Sequence, residues 1–453
     1  MKPAAVLLLP VLFLAKLGAI ELTLNQAIEI GLKNNQEQKI TQLALEIADA
    51  QYLQARSALY PSVDVTVVGS RKDEGTNFVL KGEISVLGNN VPLNVDTEAM
   101  GRDTVQSSLN LNYPIYTGGK ISSIIEQTKL NKKIKQKSVV QKKQELIFNI
   151  KNYFYSYVLA NELYENAKDT FERMELIEKL TKNLLHSESL KVKKTDHLRV
   201  QLVTSLIESA VQKFHTSKEL ARSAIVNSIG LPWNEVVDIR YENEILFNKL
   251  DSMSSLVQKA YSFNQDIQKM KLAINISEEQ IKEAQSAFYP EIGFNAKAQN
   301  LYNSYEYGIG SEQNENSWTI AVGVKIPLFD GFADTNKVME KKLEKRKNSH
   351  TQILLKDAVA LQIQHAFIQY ENGYKQIKIL EKSKEIAQKN TQLNIDGYQI
   401  ELIPTSDVIQ AQLTQSYTNV DYYKSVYDYK LAVAKLDRLI GLEVENISNE
   451  NNK

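Results

Sequence analysis

LNYPIYTGGK, Leu111 to Lys120, has a near copy in VKIPLFDGFA, Val324 to Ala333. In both, an alternating apolar stretch runs into a proline, then a hydrophobic residue, an aromatic residue and, after one more position, a glycine. A long stretch rich in Lys, Glu and Gln follows each. Proline cannot donate to a β-ladder and so ends a strand. Glycine reaches the left-handed backbone angles that a sharp turn demands. Pro114 with Gly118, and Pro327 with Gly331, therefore predict two strand-to-helix elbows.

The elbows belong to a duplication that covers most of the chain. Asn35-Gln36-Glu37 precedes Tyr60-Pro61 by the same interval at which Asn264-Gln265-Asp266 precedes Tyr289-Pro290. Asp196 with Gln201-Leu202 matches Asp407 with Gln412-Leu413, and Ile229-Gly230-Leu231 matches Ile440-Gly441-Leu442. The first half is longer between its two prolines, and the extra residues are easiest to place in a surface loop. Each half reads as helix, strand, loop, strand, long helix, turn, helix. From Lys120 to Ile229 there is neither Gly nor Pro, which argues for very long helices.

Two periodicities fill this frame. Leu146, Ile150, Tyr153, Tyr157, Ala160, Tyr164, Ala167, Phe171 and Met174 recur at alternating spacings of four and three. Val359, Ile363, Ala366, Tyr370, Gly373, Ile377, Leu380, Lys384 and Ala387 repeat the pattern, with Gly373 and Lys384 as its weak members. A sustained period of about 3.5 residues predicts coiled-coil packing with a left-handed twist. A helix from Gly118 to His186 would be roughly 100 Å long, more than a globular domain can enclose. Strands are predicted near 62–69, 105–113, 291–299 and 318–326. Val63, Val65 and Val67 alternate with Asp64 and Thr66, and Trp318, Ile320, Val322, Val324 and Ile326 with Thr319 and Lys325. One apolar and one wet face, over about 9–11 residues, fits tilted strands that cross a bilayer. Tyr113, Tyr116 and Phe329 suit its interface.

The N-terminus gives the compartment. Lys2 precedes the apolar run Ala4 to Ala15, and Gly18 and Ala19 follow; this predicts a secretory signal peptide over 1–19. The rest divides into a first repeat over 20–231, a linker over 232–255, a second repeat over 256–442 and a polar tail over 443–453. There are no cysteines, which excludes disulfides, thiolate metal sites and a lipid-anchored cysteine. Lys plus Arg and Asp plus Glu are balanced at 54 each, so charge gives no argument for nucleic acid. No mature segment has 18 consecutive apolar residues, so integral contact with a membrane requires a closed β-barrel. Four strands cannot close one, since the smallest have about eight. Several chains must then share a barrel.

These residues together, the doubled Tyr-Pro, the Pro-x-aromatic-x-Gly elbows, the Asn-Gln-Glu/Asp helix starts and the closing Ile-Gly-Leu, resemble the TolC-type outer-membrane efflux proteins from about 23 to 442. The resemblance implies a mainly α fold with membrane β. It implies that three chains share a 12-stranded β-barrel continuous with a 12-helix coiled-coil tunnel in the periplasm. It implies an outer-membrane exit duct of a tripartite efflux or type I secretion system, working with a periplasmic adaptor (membrane fusion protein) and an inner-membrane pump. The linker would then be equatorial on the tunnel. The turns near His186–Thr195 and Asn394–Thr405 would dock the adaptor. The resemblance also implies a gate at the periplasmic end. Gly397-Tyr398 matches the family's Gly-Tyr pair and Asp407 its first acid, while Ile403 and Gln410 stand where the family has an arginine and a second acid. Tyr398 would be an aromatic plug and Asp407 one of three converging carboxylates. The competing reading is that Asp407, just after Pro404, caps the returning helix.

Enzyme chemistry finds no footing. The five histidines carry no metal or triad spacing, and Gly308-Ile309-Gly310 lacks the rest of a dinucleotide fingerprint. No cofactor, metal or catalytic residue is expected. The basic run Lys129 to Lys143 reads either as a solvated helix face or as a cationic ring lining the tunnel. The competing function is a structural, oligomeric coiled-coil surface protein without channel activity.

Overall fold

A computed structural model of the chain describes residues 20–187, 192–241, 247, 250–304 and 314–441. The expected signal peptide, the centre of the first tip, Gly308 to Gly310, part of the linker, Leu442 and the polar tail lie outside the described residues. In chain order the elements are β1 (Ile20–Leu22), α1 (Leu24–Asn34), α2 (Gln36–Ser57), β2 (Ser62–Arg71), β3 (Thr76–Val86), β4 (Asn89–Met100), β5 (Asp103–Thr117), α3 (Lys120–His186) and α4 (Lys194–Ser228). There follow β6 (Val237–Ile239), α5 (Met253–Phe263), α6 (Gln265–Gln285), β7 (Glu291–Ser304), β8 (Asn314–Lys325), α7 (Ala333–Gln399) and α8 (Thr405–Ile440). Both α3 and α7 run for 67 residues. Residues group into two compact units, one of 1–43, 137–268 and 353–453, the other of 44–136 and 269–352.

The first unit is built on the heptad seams. Leu146, Ile150 and Tyr157 of α3 bury against Leu22, Ile225, Ile229, Val237 and Ile239. Val359, Ile363 and Ala366 of α7 bury against Leu256, Ala260, Leu436 and Leu439. Each such aliphatic side chain contributes about 1.5–3 kcal/mol on leaving water. The weak seam members have specific partners. At Gly373 a Cβ would meet the Tyr429 Cβ at 3.1 Å, and the missing side chain lets Tyr429 stack on Tyr370. The Lys384 ammonium lies 5.0 and 4.9 Å from the Tyr422 and Tyr423 ring centroids, a cation–π arrangement.

The repeated Asn-Gln and Ile-Gly motifs meet each other. Asn35 caps α2, its Oδ1 accepting from the Gln38 amide at 3.1 Å, while its Nδ2 donates to the Ser228 carbonyl at the end of α4 at 2.9 Å. Asn264 does the same for α6, accepting from the Asp266 and Ile267 amides and donating to the Leu439 carbonyl of α8 at 3.1 Å. One side chain thus starts one helix and secures the end of another. Gly230 and Gly441 hold positive φ of 73° and 76° beside these clamps, where a Cβ would lie 2.8 Å from backbone atoms of Asn34 and Phe263.

In the second unit, β2, β5, β7 and β8 form one antiparallel sheet in that order. Two expectations are corrected. The extra residues of the first half are not a plain surface loop: β3 and β4 pair as a hairpin over Thr76–Met100. With β1 and β6 pairing in parallel, eight strands are formed among the described residues rather than four. Pro114 does not end its strand either. β5 continues to Thr117, and the ladder shifts register between Pro114 and Tyr116, a bulge that absorbs the missing N–H. At the second elbow, β8 ends at Lys325, before Pro327.

Candidate channel wall and gate

The four-stranded sheet has two chemically distinct faces. Val65, Leu109, Ala298 and Trp318 stand side by side in register, as do Val63, Leu111, Ala296 and Ile320. Tyr113, Phe294 and Val322 continue the face toward the helices. This surface is bare: Val65 is 71%, Trp318 75% and Ile320 61% exposed. Trp318 to Ile326 covers roughly 26 Å along the chain, within the length of about 9–11 residues with which a tilted strand crosses a bilayer. The next row outward is mixed, with Asn300 donating to Asn316 at 3.0 Å. Two rows further, Arg71 pairs with Asp103 at 3.7 Å.

The opposite face is a hydrogen-bonded polar lattice. Asn110 donates to Asp64 at 2.8 Å, Asn295 to Asn112 at 2.6 Å, Gln106 to Gln299 at 3.0 Å and Gln299 to the Ser317 hydroxyl at 3.1 Å. Such a sheet suits lipid on one side and water on the other. Its edge strands β2 and β8 present unpaired backbone, which hydrocarbon does not tolerate. No helix among the described residues is long and apolar enough to cross a membrane.

Both elbow glycines are left-handed, Gly118 at φ 62° and Gly331 at φ 70°. Their surroundings differ. A Cβ on Gly118 would lie 2.6 Å from the Ser286 carbonyl oxygen, whereas one on Gly331 would meet open space. Three of the seven lysines in the basic run following the first elbow are answered by acids. Lys129 pairs with Glu126, Lys132 with Asp49, and Lys142 with Glu37 and Glu145. Burial works against the Lys142 ammonium, yet the two carboxylates hold its pKa above the ordinary lysine range.

At the α7–α8 turn, Tyr398 is 2% exposed and packs with Met174, Ile177, Val200, Val408 and Ile409. The Thr181 hydroxyl donates to the Ile177 carbonyl at 2.7 Å. A hydroxyl has one proton, so the Tyr398 hydroxyl, 2.7 Å away, donates to Thr181. The Thr405 hydroxyl donates to Tyr398 at 3.2 Å. Tyr398 therefore joins the α7–α8 turn to α3 of its own chain, and its ring is not a plug at the surface. Gly397 permits the turn, since a Cβ there would lie 2.7 Å from the Ile403 side chain.

Asp407 is exposed in the first turn of α8. The N-cap is Pro404, without a side-chain cap, and Asp407 accepts from its neighbour Ser406 at 3.0 Å. It is not the helix cap. Sequence reasoning missed Thr181 and Thr405. The available signal was buried-phase threonine at the tip end of the seam: Thr181 and Thr391 are both fully buried.

The model of the family described as outer membrane efflux protein matches residues 27–186 and 256–442. The chain is 23% identical over 392 residues to the probable efflux pump outer membrane protein TtgC of Pseudomonas putida, covering 83% of this chain and 72% of that protein. Among solved structures, a membrane protein from Pseudomonas aeruginosa superposes with a TM-score of 0.77 at 15% identity, over 92% of this chain and 93% of that one. The outer membrane protein VceC from Vibrio cholerae does so with a TM-score of 0.75 at 14% identity, over 92% and 96%. The duplicated strand-hairpin and long-helix repeat, mainly α with membrane β, is the fold they share. With a two-faced sheet and a family match over both repeats, the chain belongs to the outer membrane efflux protein family and is an exit duct of the bacterial outer membrane.

Proposed function

We propose that three copies close their sheets into one 12-stranded barrel and their long helices into a 12-helix periplasmic tunnel. Efflux or type I secretion cargo would leave through it passively, handed on by a periplasmic adaptor and an inner-membrane pump. The observation that carries this reading is the four-stranded sheet with an apolar face, a polar face and two unpaired edges. β8 of one copy, antiparallel to β2 of the next, satisfies both edges without adding a strand. The duct does no chemistry; selection lies with the pump.

Tyr398 and Asp407 form the periplasmic gate in this reading. Tyr398 keeps the α7–α8 turn packed on α3. The three exposed Asp407 carboxylates gather near the axis, where they repel one another and attract cations. The turns around His186–Thr195 and Asn394–Thr405 receive the adaptor. Fractionation and planar-bilayer recording test the proposal. A detergent-stable oligomer in the outer membrane that conducts ions is expected; a soluble, non-conducting oligomer would leave the structural surface protein standing instead.

A further inference from the structure

The hairpin β3–β4 inverts the polarity of the sheet from which it grows. The β2–β5 ladder is prolonged by the Lys72 amide, which donates to the Arg102 carbonyl at 2.9 Å. Thr76 then pairs with Met100, and a bulge follows. Lys72 and Met100 lie just beyond the β2–β5 register, in phase with its even-numbered, polar face of Thr66, Ser70 and Thr104. Their side chains meet on that face, the Lys72 Nζ lying 3.8 Å from the Met100 Sδ. Asp73 to Gly75 interrupt the strand, so this contact fixes the face: Thr76 pairs with Met100, and Phe78, Leu80, Ile84 and Val86 share the side of Thr76 on β3, the continuation of the water-facing side. Across the ladder stand Val91, Leu93 and Val95. The other face carries Lys81, Glu83, Ser85, Asn90, Asn94 and Asp96, with Val79 and Pro92 as its apolar members. In the sheet the outward face is apolar and the inward face polar; in the hairpin the inward face is apolar and the outward one polar.

The hairpin also lies past the end of the lipid band. Beyond the Trp318 row the apolar face of the sheet thins to Val67, Val105 and Tyr302 among polar neighbours, and the Arg71–Asp103 pair then separates it from Thr76. Lipid therefore does not cover Phe78, 56% exposed, or Ile84, 48% exposed. The two-residue turn at the tip is more telling. Leu87 and Gly88 both hold positive φ, 53° and 84°, the geometry that favours Asn-Gly or Gly-Gly. Leucine is disfavoured there by its Cβ and again by its exposure of 99%. A residue costly on both counts is accounted for by a contact that a single chain lacks.

We propose that the occupant is the same hairpin of the neighbouring copies, and that three hairpins join their apolar faces and Leu87 tips into a collar over the outer mouth. This rests on the shared-barrel reading. Its support is continuity, because only the four residues Lys72 to Gly75 separate β3 from β2, the edge strand that must pair with the next copy. An apolar constriction holds back ions and small hydrophilic solutes by dewetting, so the duct would have a second restriction, remote from the gate.

The absence of native cysteine makes crosslinking direct. Ile84→Cys on the apolar face and Ser85→Cys on the polar face would be oxidised with copper phenanthroline in isolated outer membranes. At least tenfold more crosslinked dimer is expected for Ile84→Cys. The register partners Val91→Cys and Asn90→Cys repeat the contrast should either first variant fail to assemble. Equal, reversed or absent crosslinking in membranes that still hold the detergent-stable oligomer would overturn the collar and leave the barrel intact. Loss of the oligomer from wild-type membranes would overturn the barrel reading itself. Leu80→Asp with Ile84→Asp should raise single-channel conductance at least twofold; unchanged conductance overturns the constriction.

Discussion

Asp196 and Asp407 hold the same place in the duplicated pattern, three residues into the helix that returns from each tip. In the first half the Asp196 carboxylate accepts from the Lys193 backbone amide at 3.0 Å. In the second half Asp407, among the described residues, accepts from the neighbouring Ser406 hydroxyl and stands in solvent. The elbows differ in the same sense. Gly118 is wedged against Ser286 and Tyr289, while Gly331 has open space around it. The second elbow even tolerates a non-glycine at positive φ, Phe332 at 69°, where the first has Gly119 at 89°. Duplication supplied two copies of each device, and the first copy is the more firmly committed to its own fold. Groups left uncommitted in the second copy are available to the assembled duct.

Substitutions at matched positions can break this contrast. The largest expected effect is at the elbows. Gly118→Ala adds a backbone overlap to the left-handed penalty, and should cost about 3 kcal/mol per chain, against about 1 kcal/mol for Gly331→Ala. Thermal dissociation of the oligomer in detergent reads the difference; equal losses would remove the asymmetry. The clamps come next and should show none. Asn35→Ala and Asn264→Ala each remove a cap and strand a carbonyl, about 2 kcal/mol apiece. Unequal losses would mean the halves also differ in their cores. Tyr398→Phe deletes the hydroxyl between Thr181 and Thr405, about 1–2 kcal/mol, and should raise resting conductance in planar bilayers. If conductance holds steady while stability falls, Tyr398 is purely structural. The smallest stability effects belong to the two aspartates. Asp196→Ala should cost about 1 kcal/mol as a lost helix-start acceptor. Asp407→Asn should leave melting nearly unchanged, yet weaken block by trivalent cations and cation preference.

Much of this was legible in the sequence for a plain reason. The seams of α3 and α7 repeat at a period long enough to stand out from noise, and each of Leu146, Ile150, Tyr157, Val359 and Ile363 is buried. What escaped was either short or distant. β1 and β6, three residues each, are too short to display alternation. Phe78-x-Leu80-x-Gly82-x-Ile84-x-Val86 does alternate, but its Gly82, and Pro92 opposite Glu83, read as loop chemistry. Pro114 looked like a strand end because a bulge leaves no mark in composition. The link from Tyr398 to Thr181 joins residues 217 positions apart, and no local pattern announces it. Asn35 and Asn264 were visible as repeated letters, but their second partner, the end of another helix, was not.

The parallel pairing of β1 with β6 has a consequence for timing. Ile20–Leu22 is the first described segment of the chain, yet its register partners are Val237–Ile239. Leu22 is fully buried in a cluster that also needs Ile150, Val226 and Ile239. A chain that emerges from its N-terminus cannot complete this cluster until well over two hundred residues have been delivered. The long helices can form in nanoseconds to microseconds as they appear, whereas closing so distant a pair is slow because its loop entropy must be overcome first. Until Ile239 arrives, the leading strand stays sticky and unpaired, a natural handhold for whatever escorts the chain to its membrane.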